Sequence, residues 1–158
     1  AALANFARIV RRDVGRDVAA QPGAGAAGGL GAGLMAFAEA QLQSGIDMIC
    51  QVLHFDSHLE GADLVITGEG RADRSTIFNK APVGVARHAR AYGVPTVLLA
   101  GSLGPGYEEL YDHGIASVMC IADRPMSFEQ SLTRTGELLE SAAERAVRLL
   151  QVGRQANG

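Results

Sequence analysis

Between residues 61 and 150 the chain repeats one order three times: a short apolar run, a break bearing glycine, and a helix-like stretch. The apolar runs are residues 64–67 (LVIT), 96–100 (TVLLA) and 116–121 (ASVMCI). They are continuous rather than alternating, the pattern of strands buried on both faces of a parallel sheet. Pro82 opens a helix that runs through Arg90, and Gly93 and Pro95 close it, following the usual placement of proline at helix starts and glycine at their ends. A shorter helix near residues 106–113 stops at Gly114. Ser127 and Gln130 have the spacing of a capping box for a last helix, in which Leu132, Leu139, Ala143, Ala146 and Leu150 share one side. Strands that alternate with helices pair in parallel through crossovers, so the expected fold is α/β, a parallel sheet with flanking helices. A length of 158 residues, 47% of them hydrophobic and 20% charged, gives such a sheet a core to bury.

The first sixty residues read differently. Leu3, Phe6 and Val10 recur at helical spacing over residues 1–14, with Gly15 as the stop. A polar segment, 16–22, ends in Pro22. Six glycines then fall between positions 23 and 33, in PGAGAAGGLGAGLMAF. We read a glycine-rich loop entering a helix with Leu30, Leu34 and Phe37 on one face, ending near Gly45. Residues 46–60 are read as helix. The chain opens on Ala1 with a helical pattern already under way, as a piece of a longer chain would.

Charge gathers where the topology would use it. Directly after the first apolar run comes GEGRADRSTIFNK, residues 68–80. In open parallel sheets ligands bind beyond the carboxyl ends of strands, and residues 68–80 and 101–104 occupy two such ends. Glu69, Arg71, Asp73 and Lys80 form the strongest candidate set. Holding them at a sheet's mouth costs free energy unless they pair with each other, a metal or a substrate. Mixed acids and bases beside glycine loops suit phosphoryl transfer, in which carboxylates hold Mg²⁺ or accept a hydroxyl proton and cations neutralise the moving group. The competing account is an exposed ion-pair loop. Lys80 is the one lysine among fourteen basic residues, and its compact charge is something arginine does not offer.

Other motifs carry less. Gly23-Ala-Gly25-Ala-Ala-Gly28 matches GxGxxG, but that fingerprint needs a preceding strand, and Gln21-Pro22 supplies none. Close helix packing through small residues and a backbone phosphate cradle at a helix start are its two readings. No GxxxxGK[ST] occurs. Cys50, His54 and His58 would lie on one helix face but lack a fourth metal ligand, so we read a surface helix with incidental histidines. Ser102 has no nucleophile context.

Composition excludes several partners. With no tryptophan and 5% aromatics there is no stacking platform for nucleic acid, and a net charge of −3 without a basic stripe disfavours nucleic acid and acidic membranes. Cys50 and Cys120 read as two reduced, buried thiols of a cytoplasmic protein. No segment approaches the roughly eighteen apolar residues of a membrane span, and the first residues do not read as a signal peptide.

The run ADLVITGEGRADRSTIFNKAPVGVARHARAYGVPTVLLAGS resembles the signature of the bacterial glycerate kinase family, in its first type. PGAGAAGGLGAGLMAF upstream and HGIASVMCI downstream resemble it too, in the same order, so the likeness covers nearly all of residues 1–150. It implies ATP- and Mg²⁺-dependent phosphorylation of D-glycerate, at the 2-hydroxyl, giving 2-phosphoglycerate, with the 3-phosphate as the alternative product. It also implies a two-domain fold in which a Rossmann-like domain is split by an insertion. Residues 61–158 would be the C-terminal part of the Rossmann-like domain, and residues 1–60 the end of the insertion. Members of the family are much longer, and their early DGGEGT motif, from the same cleft, is not among these residues.

Glu69, Arg71, Asp73, Thr76 and Lys80 fall on the family pattern GEGR-x-D-x-Q-T-x-x-x-K. Ser75 stands where the family has glutamine and Asn79 where it has glycine; asparagine tolerates the left-handed backbone better than most residues. The resemblance implies Asp73 for Mg²⁺ or hydroxyl-proton handling with Glu69 as its partner, and Arg71 and Lys80 for the glycerate carboxylate or the transferred phosphoryl. Gly23, Gly25, Gly28 and Gly29 would give backbone donors, and Gly68, Gly70, Ser75 and Thr76 would line the substrate or nucleotide. A homodimer is compatible with this reading. Standing alone, the chain is expected to be inactive. Its alternative is a non-catalytic binding module or stable proteolytic core, and a weaker one is a dinucleotide-dependent oxidoreductase domain.

Overall fold

A computed structural model describes residues 2–78 and 80–156. The chain divides into two compact units, Ala1–Ser44 and Gly45–Gly158.

The first unit holds helices α1 (Ala2–Val14) and α2 (Ala26–Ala38). Its core is made of small groups: Ala7, Val10, Val18, Ala24, Ala32 and Ala36, with Phe6 and Met35 against them. The glycine-rich entry to α2 is kinked, because Ala27, Gly28 and Gly29 take φ of 48°, 69° and 101° inside the helix. After this kink the helix buries its small side. A Cβ at Gly31 would overlap the Gly23 carbonyl oxygen, so the turn lies directly on the helix. Leu30, Leu34 and Phe37, which share one face, are therefore exposed, and Gly29, Gly31, Ala32 and Ala36 are buried. The helix also ends earlier than expected. Arg16 donates to the Met35 carbonyl at 3.1 Å and pairs with Glu39, which is left-handed at φ 54°. That satisfies a carbonyl which the helix terminus leaves free.

The second unit is built on a parallel sheet of β1 (Val65–Ala72), β2 (Thr96–Leu103) and β3 (Ile115–Cys120), in the order β1-β2-β3. The α/β expectation holds. Both leading strands run further than their apolar runs: the ladder continues through Glu69↔Ala100, Arg71↔Ser102 and Ala72↔Leu103. GEGRA and GSL are thus strand rather than loop. Burial on both faces holds for the central β2, where Leu98, Leu99 and Ala100 are buried, but β1 has Ile66 and both its glycines exposed.

The reason is coverage. Helix α5 (Ala81–Ala91) and the 3-10 helix Tyr107–His113 cover one face through Ala86 and Leu110, packed on Leu98, Ala100 and Ile115. On the other face, α7 (Thr135–Ala156) places Leu138 and Ala142 on Leu99 and Ile121. A fully buried leucine of this kind contributes about 1.5–3 kcal/mol of transfer free energy.

The Ser127–Gln130 capping box forms in both directions, but it caps only α6 (Phe128–Thr133). The helix breaks at Arg134 and resumes in a different phase. Leu138, Ala142 and Ala146 are the buried stripe of α7, and Leu132, on α6, is exposed. Residues 46–60 also divide, into α3 (Gly45–Val52) and α4 (Phe55–Leu59), at His54 with φ 50°. Cys50, His54 and His58 therefore share no helix, and no trio of metal-ligating side chains is assembled among the described residues. Helix α3 packs on α5 at Gly84, where a Cβ would collide with Ile46, so α3 and α4 group with the sheet. Among the described residues no helix is long and apolar enough to cross a membrane.

Candidate active site

The parallel register brings the carboxyl ends of β1 and β2 together, and two backbone bonds stitch them beyond the ladder. Gly104 N donates to the Ala72 carbonyl at 2.7 Å, and Arg74 N donates to the Pro105 carbonyl at 3.2 Å. Asp73 lies between these two stitches. The charges of residues 69–80 divide into three kinds.

Asp73 and Arg71 are paired. Asp73 is the N-cap of the 3-10 helix Arg74–Ile77, and its Oδ1 accepts from Ser75 N at 2.8 Å and Ser75 Oγ at 2.6 Å. Its own N–H donates to Thr76 Oγ1 at 3.2 Å, and Thr76 is fully buried. Oδ2 faces Arg71 Nε at 3.3 Å. The Ser75 side-chain and backbone bonds, aided by the charges of Lys80 and Arg71 and opposed by desolvation, hold the Asp73 carboxyl below its usual range. It is an ionised, anchored carboxylate that binds a proton weakly.

Arg74 is tied away from this edge. It reaches to Glu109 on the neighbouring 3-10 helix, with Nε at 2.8 Å. Its role is to join two turns.

Glu69 and Lys80 are unengaged. Glu69 sits on β1 opposite Ala100, two residues before Arg71 and so on the same side of the strand. Lys80 is the N-cap of α5 in extended conformation, with φ −78° and ψ 159°. Both are half-buried, and among the described residues neither side chain makes a hydrogen bond or an ion pair, although the Lys80 charge acts on Asp73. Around Gly70 the space is open, and over Gly68 a Cβ would meet only Leu99 O, at 3.7 Å. Backbone and ligand can approach there closely. Asn79 lies outside the described residues.

Gly23, Gly25, Gly28 and Gly29 belong to the first unit. Gly25 is the N-cap of α2, and the run follows a turn with no strand before it among the described residues of that unit, so the dinucleotide fingerprint lacks its context. Elsewhere in the second unit an apolar cavity of about 600 Å³, lined by Leu64, Pro95, Val97, Met119, Leu149 and Leu150, sits at the amino end of the sheet, away from the charges. Sequence reasoning did not single out Gly104. A Cβ there would stand 2.7 Å from Arg71 Nε and 2.9 Å from Asp73 Cβ. The signal was a glycine pair flanking Ser102-Leu103, which a loop reading absorbed.

A sequence model of the glycerate kinase family matches residues 1–151. The chain is 48% identical over 141 residues to a glycerate kinase of Halalkalibacterium halodurans, covering 89% of this chain and 37% of that protein. It is 35% identical over 156 residues to glycerate 2-kinase of Escherichia coli K12, covering 99% of this chain and 41% of that protein. Its fold matches a crystal structure of a protein assigned as glycerate kinase 2, from Salmonella typhimurium LT2. That match has a TM-score of 0.68 and 40% identity, over 98% of this chain and 39% of the other. The chain therefore spans 37–41% of the length of these relatives.

Proposed function

The chain belongs to the glycerate kinase family, and from that membership we propose that it supplies part of the cleft in which ATP phosphorylates D-glycerate at its 2-hydroxyl. The observation that carries this is the unpartnered pair, Glu69 and Lys80, half-buried beside the Arg71–Asp73 ion pair. Charges held partly out of water without partners are costly unless a ligand engages them.

In the reaction the bond from the γ-phosphorus to its bridging oxygen breaks, releasing ADP. The glycerate 2-oxygen bonds to phosphorus, and its proton leaves to a carboxylate. Glu69 is the carboxylate for that proton or for the metal, because its oxygens are unengaged. Asp73 has Oδ1 bonded to Ser75 and Oδ2 facing Arg71, and acts by orienting Arg71. Lys80 and Arg71 neutralise the phosphoryl oxygens or the glycerate carboxylate. Mg²⁺ is bound by one or two carboxylates together with phosphate oxygens and water, a set that Glu69 fits, with Asp73 as a second carboxylate. When bound it would supply further neutralisation of phosphate charge. Gly68, Gly70, Ser75 and Thr76 would border the ligand; within the first unit, residues 23–29 would by themselves offer backbone donors to a phosphate. Residues 61–158 would form the C-terminal part of a Rossmann-like domain and residues 1–60 the end of an inserted one, in a cytoplasmic enzyme. With two fifths of its relatives' length, the chain alone is expected not to turn over.

The test replaces the matched 141 residues of the Halalkalibacterium halodurans protein with this chain and couples ADP release to a dehydrogenase. The chimera should turn over D-glycerate, and Glu69→Gln and Lys80→Ala should each lower kcat by about 100-fold or more. Undiminished turnover in both variants would refute the assignment. Phosphorus NMR of the product distinguishes the 2-phosphate from the 3-phosphate.

A further inference from the structure

The charged stretch crosses the carboxyl end of β2 and the segment that follows it at three points, and each crossing is a glycine. A Cβ at Gly101 would stand 2.6 Å from the Gly70 carbonyl oxygen. One at Gly104 would stand 2.7 Å from Arg71 Nε, 2.9 Å from Arg71 Nη2 and 2.9 Å from Asp73 Cβ. One at Gly106 would stand 3.0 Å from Arg74 Cβ and 3.2 Å from Glu109 Oε1. The middle crossing is the one beneath the Arg71–Asp73 pair.

We infer that Gly104 is a positioning residue: by carrying no side chain it leaves the space in which the Arg71 guanidinium lies against Asp73. Its requirement is for room, because its backbone is outside the left-handed region, whereas Gly106 has φ 78°. The segment cannot yield outward to admit a methyl group. On one side Gly104 N is bonded to Ala72 O, and on the other Pro105 O is bonded to Arg74 N, so backing away strains both stitches. Asp73 yields less readily than a free side chain, since Ser75 holds its carboxylate and Thr76 its amide. The Arg71 side chain is the movable partner. A methyl at 104 therefore swings the guanidinium off Asp73, and the remaining 2.9 Å approach to Asp73 Cβ is taken up by a smaller shift of the segment against the cap. The geometric claim stands on these contacts alone; its catalytic consequence rests on the function proposed above.

The test uses the 158-residue chain. Arg71→Lys identifies the Arg71 Nε–H cross-peak in a nitrogen–proton spectrum. In the unsubstituted chain this peak should lie apart from the exposed arginines. Gly104→Ala should move it among them, and Gly106→Ala, which strains the same segment beneath Arg74, should leave it in place. Titration with inorganic phosphate, read from amide shifts of residues 68–80, gives the second readout. Gly104→Ala and Arg71→Gln should each weaken phosphate about tenfold, and the double variant no more than either. An Arg71 peak unmoved by Gly104→Ala, an equal displacement by Gly106→Ala, or additive losses in the double variant would each overturn the inference. If the unsubstituted chain shows no phosphate response, the anion-site reading fails, and the cross-peak comparison still decides the role of Gly104.

Discussion

Raising the pH should loosen α3 and α4 from α5, through one histidine. His88 on α5 has a carboxylate at each ring nitrogen: Nδ1 lies 2.8 Å from Asp56 of α4 and Nε2 lies 3.2 Å from Asp47 of α3. The other groups facing it are Arg87, paired with the same Asp47, the Phe55 ring in edge contact at 6.3 Å, and the Cys50 thiol, which burial and the two aspartates push up. Only the imidazolium can donate from both nitrogens. A neutral ring donates from one and turns a lone pair toward the other carboxylate. Hydrogen bonding to Asp56, and then Asp47, raises the His88 pKa against the opposing effect of burial.

A folded pKa above the unfolded one means that the contribution is complete below about pH 6.5 and fades as pH rises through the folded value. Each exposed pair of this type is worth roughly 0.2–1 kcal/mol. Exposures of 42% and 52% at the two aspartate side chains keep the sum low, so the loss should be about 1 kcal/mol. Urea unfolding from about pH 6 to about pH 9 measures it against His88→Gln, which cannot titrate, and hydrogen exchange over residues 46–59 locates it. A stability profile for the unsubstituted chain that runs parallel to that of His88→Gln, with equal exchange at both ends, would refute the reasoning.

Two substitutions test the packing that holds this frame. Gly84→Ala should cost about 1–3 kcal/mol, because the new methyl falls on Ile46, with Cγ1 at 2.7 Å. Adding Ile46→Ala should recover part of that loss, and urea midpoints of the single and double variants check both. Leu138→Ala empties a buried position between α7 and the sheet and should cost about 2–5 kcal/mol at unchanged urea m-value. A loss well under about 1 kcal/mol would mean that α7 does not seal that face.

The parallel sheet was legible because β2 is buried on both faces and shows it as an unbroken apolar run. β1 was legible only in part. Its second half is charged and rich in glycine, so hydropathy reads it as loop, while the ladder to Ala100, Ser102 and Leu103 keeps it extended. Tertiary pairing decides such a segment, and pairing partners carry no local signal. Which face of α2 is buried was not legible, for a related reason. Leu30, Leu34 and Phe37 do share a side, but the helix packs through glycine and alanine, since only they admit the Gly23 turn. The break at Arg134 follows from a local contest, in which Arg134 is held by Asp123 and Glu137 while Leu138 must face the sheet. At the candidate site the sequence named the charged residues but not which of them pair with one another, because that depends on side-chain reach across the ends of two strands.

Ser75 shows what that reach decides. At this position the likeness to the family is imperfect, and a residue shorter than glutamine stands there. Its hydroxyl and its backbone amide both converge on Asp73 Oδ1; the backbone bond is open to any residue, and the hydroxyl bond is what serine adds. The consequence is electrostatic. Asp73 is a fixed negative charge, satisfied on one oxygen by Ser75 and facing Arg71 with the other. Glu69 is left as the carboxylate of residues 68–80 that makes no hydrogen bond or ion pair among the described residues. A proton or a cation arriving at this edge would meet Glu69 as the unsatisfied acceptor, and an anion would meet Lys80.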